Sequence, residues 1–218
     1  RSISQTVSET PTKSLRMAKY EGQDHYLDPE TGILRNRLGI ADESELDEAE
    51  ASFVAWRSYE LSQEPIAGRF DLAHLQAIHR HLFGDVYDWA GEIRTIDLSK
   101  GNSYFANHAR IVGAASPIFE KLAKEQSLKG LDTTAFSERA AYYLGEINAL
   151  HPFREGNGRA QREFVNHLAR ANGYGIDWTS ISPEAMTQAS IEAFHRGDTA
   201  KFAAFIRENI RRLPTSGQ

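Results

Sequence analysis

His151-Pro152-Phe153-Arg154-Glu155-Gly156-Asn157-Gly158-Arg159-Ala160-Gln161-Arg162 joins two stretches of helical periodicity. Upstream, beginning at a capping Asp132, Phe136, Ala140, Tyr143, Leu144 and Ile147 recur on one face to about Leu150. Downstream, Phe164, Val165, Leu168 and Ala171 form a second apolar face that ends at Gly173. The stretch therefore reads as a loop that opens a helix. Gly156 and Gly158 leave its backbone bare where unpaired N–H groups and the positive end of the helix dipole favour an anion. Arg159 and Arg162 are three apart and share a helix face, so two guanidiniums can grip neighbouring phosphate oxygens, with Asn157 adding a neutral donor. Glu155 sets a hard carboxylate oxygen beside that anion site, which suits a Mg²⁺ ion completed by phosphates and water. His151, with an ordinary pKa of about 6.5, is largely neutral at pH 7 and suited to take a proton from an attacking hydroxyl. Pro152 and Phe153 fix and anchor the loop that aims it.

Taken singly, each residue has a blander reading. A histidine at a helix end is more often a cap or a packed side chain. Arginines three apart are usually a solvated face, and Glu155 could merely complement the dipole. At roughly one in twenty per fixed position, however, their joint occurrence by chance is about 10⁻¹² per start site. The pattern as a whole demands an explanation that its members do not.

Working outward, Tyr26 to Ile40 is a short apolar set punctuated into turns by Pro29, Gly32 and Gly39, expected to form an ordered arm on the core. Asp42 caps a helix to about Gln63, with Leu46, Ala49, Phe53 and Trp56 on the inward face and acids on the other. A helix from Asp71 repeats Leu72, Leu75, Ile78 and Leu82 and stops at Gly84, a residue suited to a left-handed turn. Ile93 to Leu98 alternates like a strand, Lys100-Gly101-Asn102 is turn chemistry, and Ser103 to Phe105 is the return strand. A further helical pattern, Ile111 to Leu122, contains Pro117, which is expected to break or kink it. Two more helices follow, one capped by Ser182 with Pro183 at its first position, the other opened by Asp198 and carrying Phe202, Phe205 and Ile206. The fold class is all-α: a helical domain with one small β-hairpin.

The chain has 218 residues, enough for one domain with a sizeable core. Residues 1–19, rich in Ser and Thr, read as a flexible leader, 20–212 as the domain, and 213–218 as a tail. A net charge of -5 argues against non-specific binding of nucleic acid. No apolar run approaches the roughly 20 residues needed to span a bilayer. Cysteine is absent, which excludes disulfides and thiolate chemistry, and cytosolic folding is expected. No P-loop pattern occurs, and the glycines do not make a dinucleotide fingerprint.

The motif resembles the Fic signature H-P-F-x-[D/E]-G-N-G-R-x-x-R at every fixed position. The resemblance extends to His81-Leu82-Phe83, to Trp89-Ala90-Gly91-Glu92-Ile93-Arg94 and to Lys100-Gly101-Asn102-Ser103-Tyr104-Phe105, which looks like the family's flap hairpin. It implies a Fic fold and a protein adenylyltransferase, moving AMP from ATP to a Ser, Thr or Tyr hydroxyl of a target protein. His151 would be the base and Glu155 the Mg²⁺ ligand. Gly156, Asn157 and Gly158 would cradle the α- and β-phosphates, and Arg159 and Arg162 would hold the distal ones. The flap would register the target as an added strand, and Phe105 would clamp its side chain. Other Fic proteins transfer other nucleotides, phosphate or phosphocholine, and a non-catalytic binding module would tolerate decay of the motif, which is intact here. The arm Tyr26-Leu27-Asp28-Pro29 with Leu34 to Ile40 resembles compact Fic toxins acting on DNA gyrase and topoisomerase IV, and also the Fic domains of type IV secretion effectors.

Many Fic proteins are silenced by a helix of pattern [S/T]-x-x-x-E-[G/N], whose glutamate pairs with the second motif arginine, here Arg162. The only glutamates followed by Gly or Asn are Glu21, Glu155 and Glu208, and four residues before them stand Met17, His151 and Ala204. The resemblance therefore implies an antitoxin-like inhibitory protein that supplies this glutamate in trans.

Overall fold

Asp42, Asp71, Asp132 and Ser182 each accept a hydrogen bond from a backbone N–H in the first turn of a helix, so four of the helix starts are set by local chemistry. The computed structural model describes residues 24–214; the expected leader and the end of the expected tail lie outside them. Seven helices occur among the described residues: α1 (Glu43–Gln63), α2 (Leu72–Phe83), α3 (Ile111–Lys124), α4 (Thr133–Leu150), α5 (Asn157–Ala171), α6 (Pro183–Arg196) and α7 (Ala200–Asn209). Helix α4 is the axis of the bundle and packs against α3, α5, α6 and α7. Its Phe136, Ala140, Tyr143 and Leu144 are wholly buried, each large side chain contributing about 2 kcal/mol of apolar burial. Helix α2 packs on α5 and on α1, and so backs the motif loop from the other side.

The hairpin is formed by β1 (Ser99–Lys100) and β2 (Ser103–Tyr104), antiparallel, with Ser99 opposite Tyr104 and Gly101-Asn102 at its tip. Gly101 has φ +58, a conformation in which a side chain is strained. A second antiparallel pair, β3 (Tyr174–Ile176) with β4 (Ile210–Arg212), was not expected. It fastens the end of α7 to the segment after α5.

Several sequence expectations need correction. Residues 93–98 form no strand, because Arg94 turns inward and draws the backbone of this segment onto its guanidinium. Helix α3 runs through Pro117 unbroken; Pro117 and Gly113 both face solvent, so the carbonyl that loses its partner can be hydrated. Gly84 is right-handed, with φ -65; there a side chain would meet the Arg80 carbonyl at 2.7 Å. Ala171, expected to point inward, is exposed. Helix α1 buries Leu46, Glu50, Val54 and Leu61, while Phe53 is 36% and Trp56 59% exposed. Its inward face is thus rotated from the expected one, and an acid lies inside it. The arm is ordered as expected: Leu27 bridges Leu34, and Arg37 donates to the Gly84 and Val86 carbonyls.

Candidate active site

Helix α4 ends at His151, which adopts a left-handed conformation with φ 46 and ψ 61. A non-glycine residue there costs on the order of 1–2 kcal/mol, and the surroundings hold it. The Arg94 Nε donates to the His151 carbonyl at 2.8 Å, and the backbone N–H of Arg94 donates to the carbonyl of Pro152 at 2.9 Å. The other arms of the same guanidinium donate to the carbonyls of Ile96 and Ala106, on either side of the hairpin. One buried side chain therefore ties the motif loop to both roots of the hairpin. Desolvation pushes the Arg94 pKa down to about 10.

Further along the loop, Asn157 closes a reciprocal pair with Phe153, accepting from its N–H at 2.9 Å and donating to its carbonyl at 2.8 Å. Its carboxamide is engaged in shaping the loop, which leaves its backbone N–H as the group at the helix start. His79 supports the loop from α2: its Nε2–H donates to the Glu155 carbonyl at 2.9 Å, while its Nδ1 accepts from Gly91. The ring stacks on Phe153 at 3.9 Å, and burial pushes its pKa down to about 4, so it is a neutral strut. Gly156, at φ +78, lies directly over Phe83. No side chain caps α5. Its first N–H groups are the kind of orphan donors that hold anions.

His151 directs Nδ1 at the Asn148 carbonyl, 3.3 Å away. That contact assigns the proton to Nδ1 and leaves the Nε2 lone pair as the basic position. Desolvation pushes its pKa down to about 4, and the ring stays neutral at physiological pH. The Phe105 ring stacks on it at 3.7 Å and 13°. Phe105 in turn meets Phe194 edge-on at 5.4 Å, and Ser103 bonds His195 at 3.0 Å, so the end of α6 holds the hairpin in place. Lys100, Gly101, Asn102 and Tyr104 are exposed along it, Tyr104 at 75%.

The two motif arginines differ sharply. Arg159 pairs with the buried Glu50 at 2.6 Å, lies 3.6 Å from Glu155, and sits over the Phe83 ring at 4.7 Å. Arg162 has no ion pair or side-chain hydrogen bond among the described residues, and a side chain on Gly158 would stand 3.5 Å from its NH1. Desolvation, with Arg159 beside it, pushes its pKa down. A poorly hydrated, unpaired cation over an uncapped helix N-terminus is a place for an anion. Glu155, partly exposed, accepts from the Gly156 N–H at 2.9 Å.

The sequence-selected motif and hairpin residues thus converge on one loop and its cover. A model of the Fic/DOC family matches residues 69–169, the span that holds the loop, its supports and the hairpin. Protein adenylyltransferase VbhT of Bartonella schoenbuchensis is 52% identical over 195 residues, 89% of this chain, which spans 41% of that protein's length. The probable protein adenylyltransferase y4lH of Sinorhizobium fredii is 41% identical over 196 residues and is covered in full. The chain belongs to the Fic/DOC family. A solved structure of the BepC protein of Bartonella tribocorum, a VirB-translocated effector with bound AMPPNP, superposes with TM-score 0.80 at 30% identity, covering 86% of this chain and 96% of that one. The fold class is the helical one expected, with small antiparallel strand pairs. Both curated relatives are named protein adenylyltransferases, a kind of nucleotidyltransferase.

Glu50, His79, Arg94 and His195 were missed as parts of this Fic site. His79 had a signal, because it shares the buried face of α2 with Leu75, Ile78 and Leu82. Arg94 stood within the matched segment, but nothing in its spacing told that it would be buried. Glu50 and His195 meet the site only through the packing of distant helices.

Proposed function

We propose that this chain transfers AMP from ATP to a hydroxyl of a target protein. The observation that carries this reading is the uncapped start of α5 with Arg162 over it, without a partner among the described residues, at the end of a loop that opens on a neutral histidine whose Nε2 is the basic position. In this reading the backbone N–H groups of Asn157 and Gly158, joined by that of Gly156 once the Glu155 carboxylate turns from it to the metal, receive the α- and β-phosphates, and Arg159 and Arg162 hold the distal ones. The acceptor oxygen attacks the α-phosphorus, the bond to the bridging β-phosphate oxygen breaks and pyrophosphate leaves. The hydroxyl proton passes to Nε2 of His151. No group of three or more potential protein ligands for a metal occurs among the described residues. The single carboxylate of Glu155 fits a Mg²⁺ brought in by the nucleotide and completed by its phosphates and water, where the ion would neutralise phosphate charge. Lys100 to Phe105 would align the target along the flap edge, Gly101 giving the turn its shape. The domain would span 20–212.

For the target we favour a bacterial type II topoisomerase, gyrase or topoisomerase IV, met in the cytoplasm, with the chain acting as a toxin. To inhibit it in trans, a small protein would bring a helix of pattern [S/T]-x-x-x-E-[G/N] whose glutamate takes Arg162; that arginine has no partner among the described residues, which supports this. A second reading, a host-directed effector domain, is favoured by the likeness to BepC, itself named a VirB-translocated effector. No described helix is long and apolar enough to cross a membrane. The test is mass spectrometry of gyrase, topoisomerase IV and a host-cell lysate after incubation with the chain, Mg²⁺ and isotope-labelled ATP. An adenylyl adduct on a topoisomerase supports the first reading and one on host protein alone the second; no adduct anywhere overturns AMP transfer.

A further inference from the structure

We propose that Glu50 of α1 is a positioning residue that sets Arg159 for the distal phosphates of the nucleotide, with Tyr87 fixing Glu50 in turn. The proposal rests on the reading of Arg159 as a phosphate ligand. Glu50 is 2% exposed and lies four residues from Leu46 and Val54 on the buried face of α1. A carboxylate is left there only if both oxygens are satisfied, because burying it without partners is costly. Its Oε1 pairs with Arg159 NH2 at 2.6 Å, and its Oε2 accepts the Tyr87 hydroxyl at 2.5 Å. Tyr87 is itself fixed, 2% exposed and stacked on Trp89 at 4.4 Å.

Arg159 is therefore held at one corner of its planar fork. NH2 lies between Glu50 and Glu155, the face rests on Phe83, and Nε and NH1 have no hydrogen bond among the described residues. A guanidinium preset in this way loses less freedom when it binds a phosphate than a floating one would. Glu50 also offsets the repulsion between two arginines three apart on one helix. Because Tyr87 holds its other oxygen, Glu50 cannot follow Arg159 outward, so it fixes the arginine's base without taking the donors a phosphate would use. Arg162, with no such anchor, is left adjustable.

The test is calorimetric titration of the intact chain with ATP, ADP and AMP, comparing wild type with Glu50→Gln and Tyr87→Phe. Gln keeps the shape and the acceptor for Tyr87 but removes the negative charge that faces Arg159; Phe keeps the ring stack and removes only the hydroxyl. We expect Glu50→Gln to weaken ATP and ADP by about tenfold while AMP, lacking the distal phosphates, changes less than about twofold. Tyr87→Phe should move the same way by less. Unchanged ATP affinity, equal weakening of AMP, or tighter ATP binding in Glu50→Gln would each overturn the proposal, the last by making Glu50 a restraint on Arg159. Should Glu50→Gln not fold, Tyr87→Phe decides by the same criteria. These affinities are read without any transfer reaction. Failure of the AMP-transfer reading would instead appear as a wild-type chain that distinguishes ATP from AMP yet labels no protein.

Discussion

The Phe105 ring lies face to face with the His151 imidazole, 3.7 Å between centroids and 13° between planes. A flap side chain expected to grip the target thus covers the proposed base in this structure. The stack withholds water from the imidazole, holds its plane, and helps keep it neutral.

Phe105→Ala should therefore slow transfer by about tenfold with little change in ATP affinity, because this ring packs on His151 and Phe194 and the proposed phosphate site is at the start of α5. It should also change the pH profile. A base works only when unprotonated, so wild-type activity is lost as pH falls through the His151 pKa of about 4. Uncovering the ring moves that pKa up toward 6.5, and the acid limb should shift with it. Initial rates from pH 4.5 to 8, with folded fraction followed by circular dichroism, check this; an unshifted limb in the variant refutes it. His151→Ala should lose at least about 10² in rate and still bind ATP.

Arg162→Ala is expected to weaken ATP more than ADP, since the proposed function gives this guanidinium the last phosphate. The same change should leave the fold as stable as before or slightly more so, because it removes a poorly solvated cation that has no partner among the described residues. Calorimetry and thermal melting together test it. Equal loss for both nucleotides, or a large fall in Tm, would assign Arg162 to structure.

Gly156→Ala and Gly158→Ala should behave differently although the two glycines are neighbours in one motif. At Gly156 a methyl would stand 2.3 Å from the Phe83 ring, on a backbone at φ +78. Phe83 cannot give way easily, being stacked on His79 at 4.6 Å. The expected cost is about 3 kcal/mol, from backbone strain plus overpacking. At Gly158 the closest atom is 3.5 Å away, so alanine should be nearly neutral for stability while its methyl obstructs the proposed phosphate cradle. Denaturant unfolding and ATP titration of both variants would show the split.

Acid should destabilise the fold well before the carboxylates titrate. Burial pushes His79 and His167 down to about 4, so the unfolded chain binds more protons between about pH 6.5 and 4. Their contribution is fully present above the unfolded pKa and is lost as pH falls through that window. Between pH 7 and 5 it amounts to about 2 kcal/mol for His79. Glu163, raised by burial, works in the opposite sense. Urea unfolding at the two pH values measures the slope, and His79→Gln, which can keep one donor and one acceptor, should reduce it. A flat wild-type response would be inconsistent with neutral buried histidines.

Local sequence was enough for much of the molecule. Caps at Asp42, Asp71, Asp132 and Ser182, the apolar face of α4 and the Gly-rich opening of α5 are read from neighbouring residues, because each depends on contacts a few positions apart. The motif residues were legible for the same reason: a loop entering a helix puts them together whatever surrounds it. Tertiary packing decided the rest. Periodicity placed Phe53 and Trp56 of α1 inside, yet Glu50 is buried because Arg159 and Tyr87, far along the chain, meet its two oxygens. Alternation made residues 93–98 a strand, yet Arg94 abandons it for carbonyls of His151, Ile96 and Ala106. In both places a charged group found partners that solvent would otherwise have supplied, and whether such partners exist is a property of the assembled fold, since the groups that compensate a buried charge are brought to it only by long-range contacts.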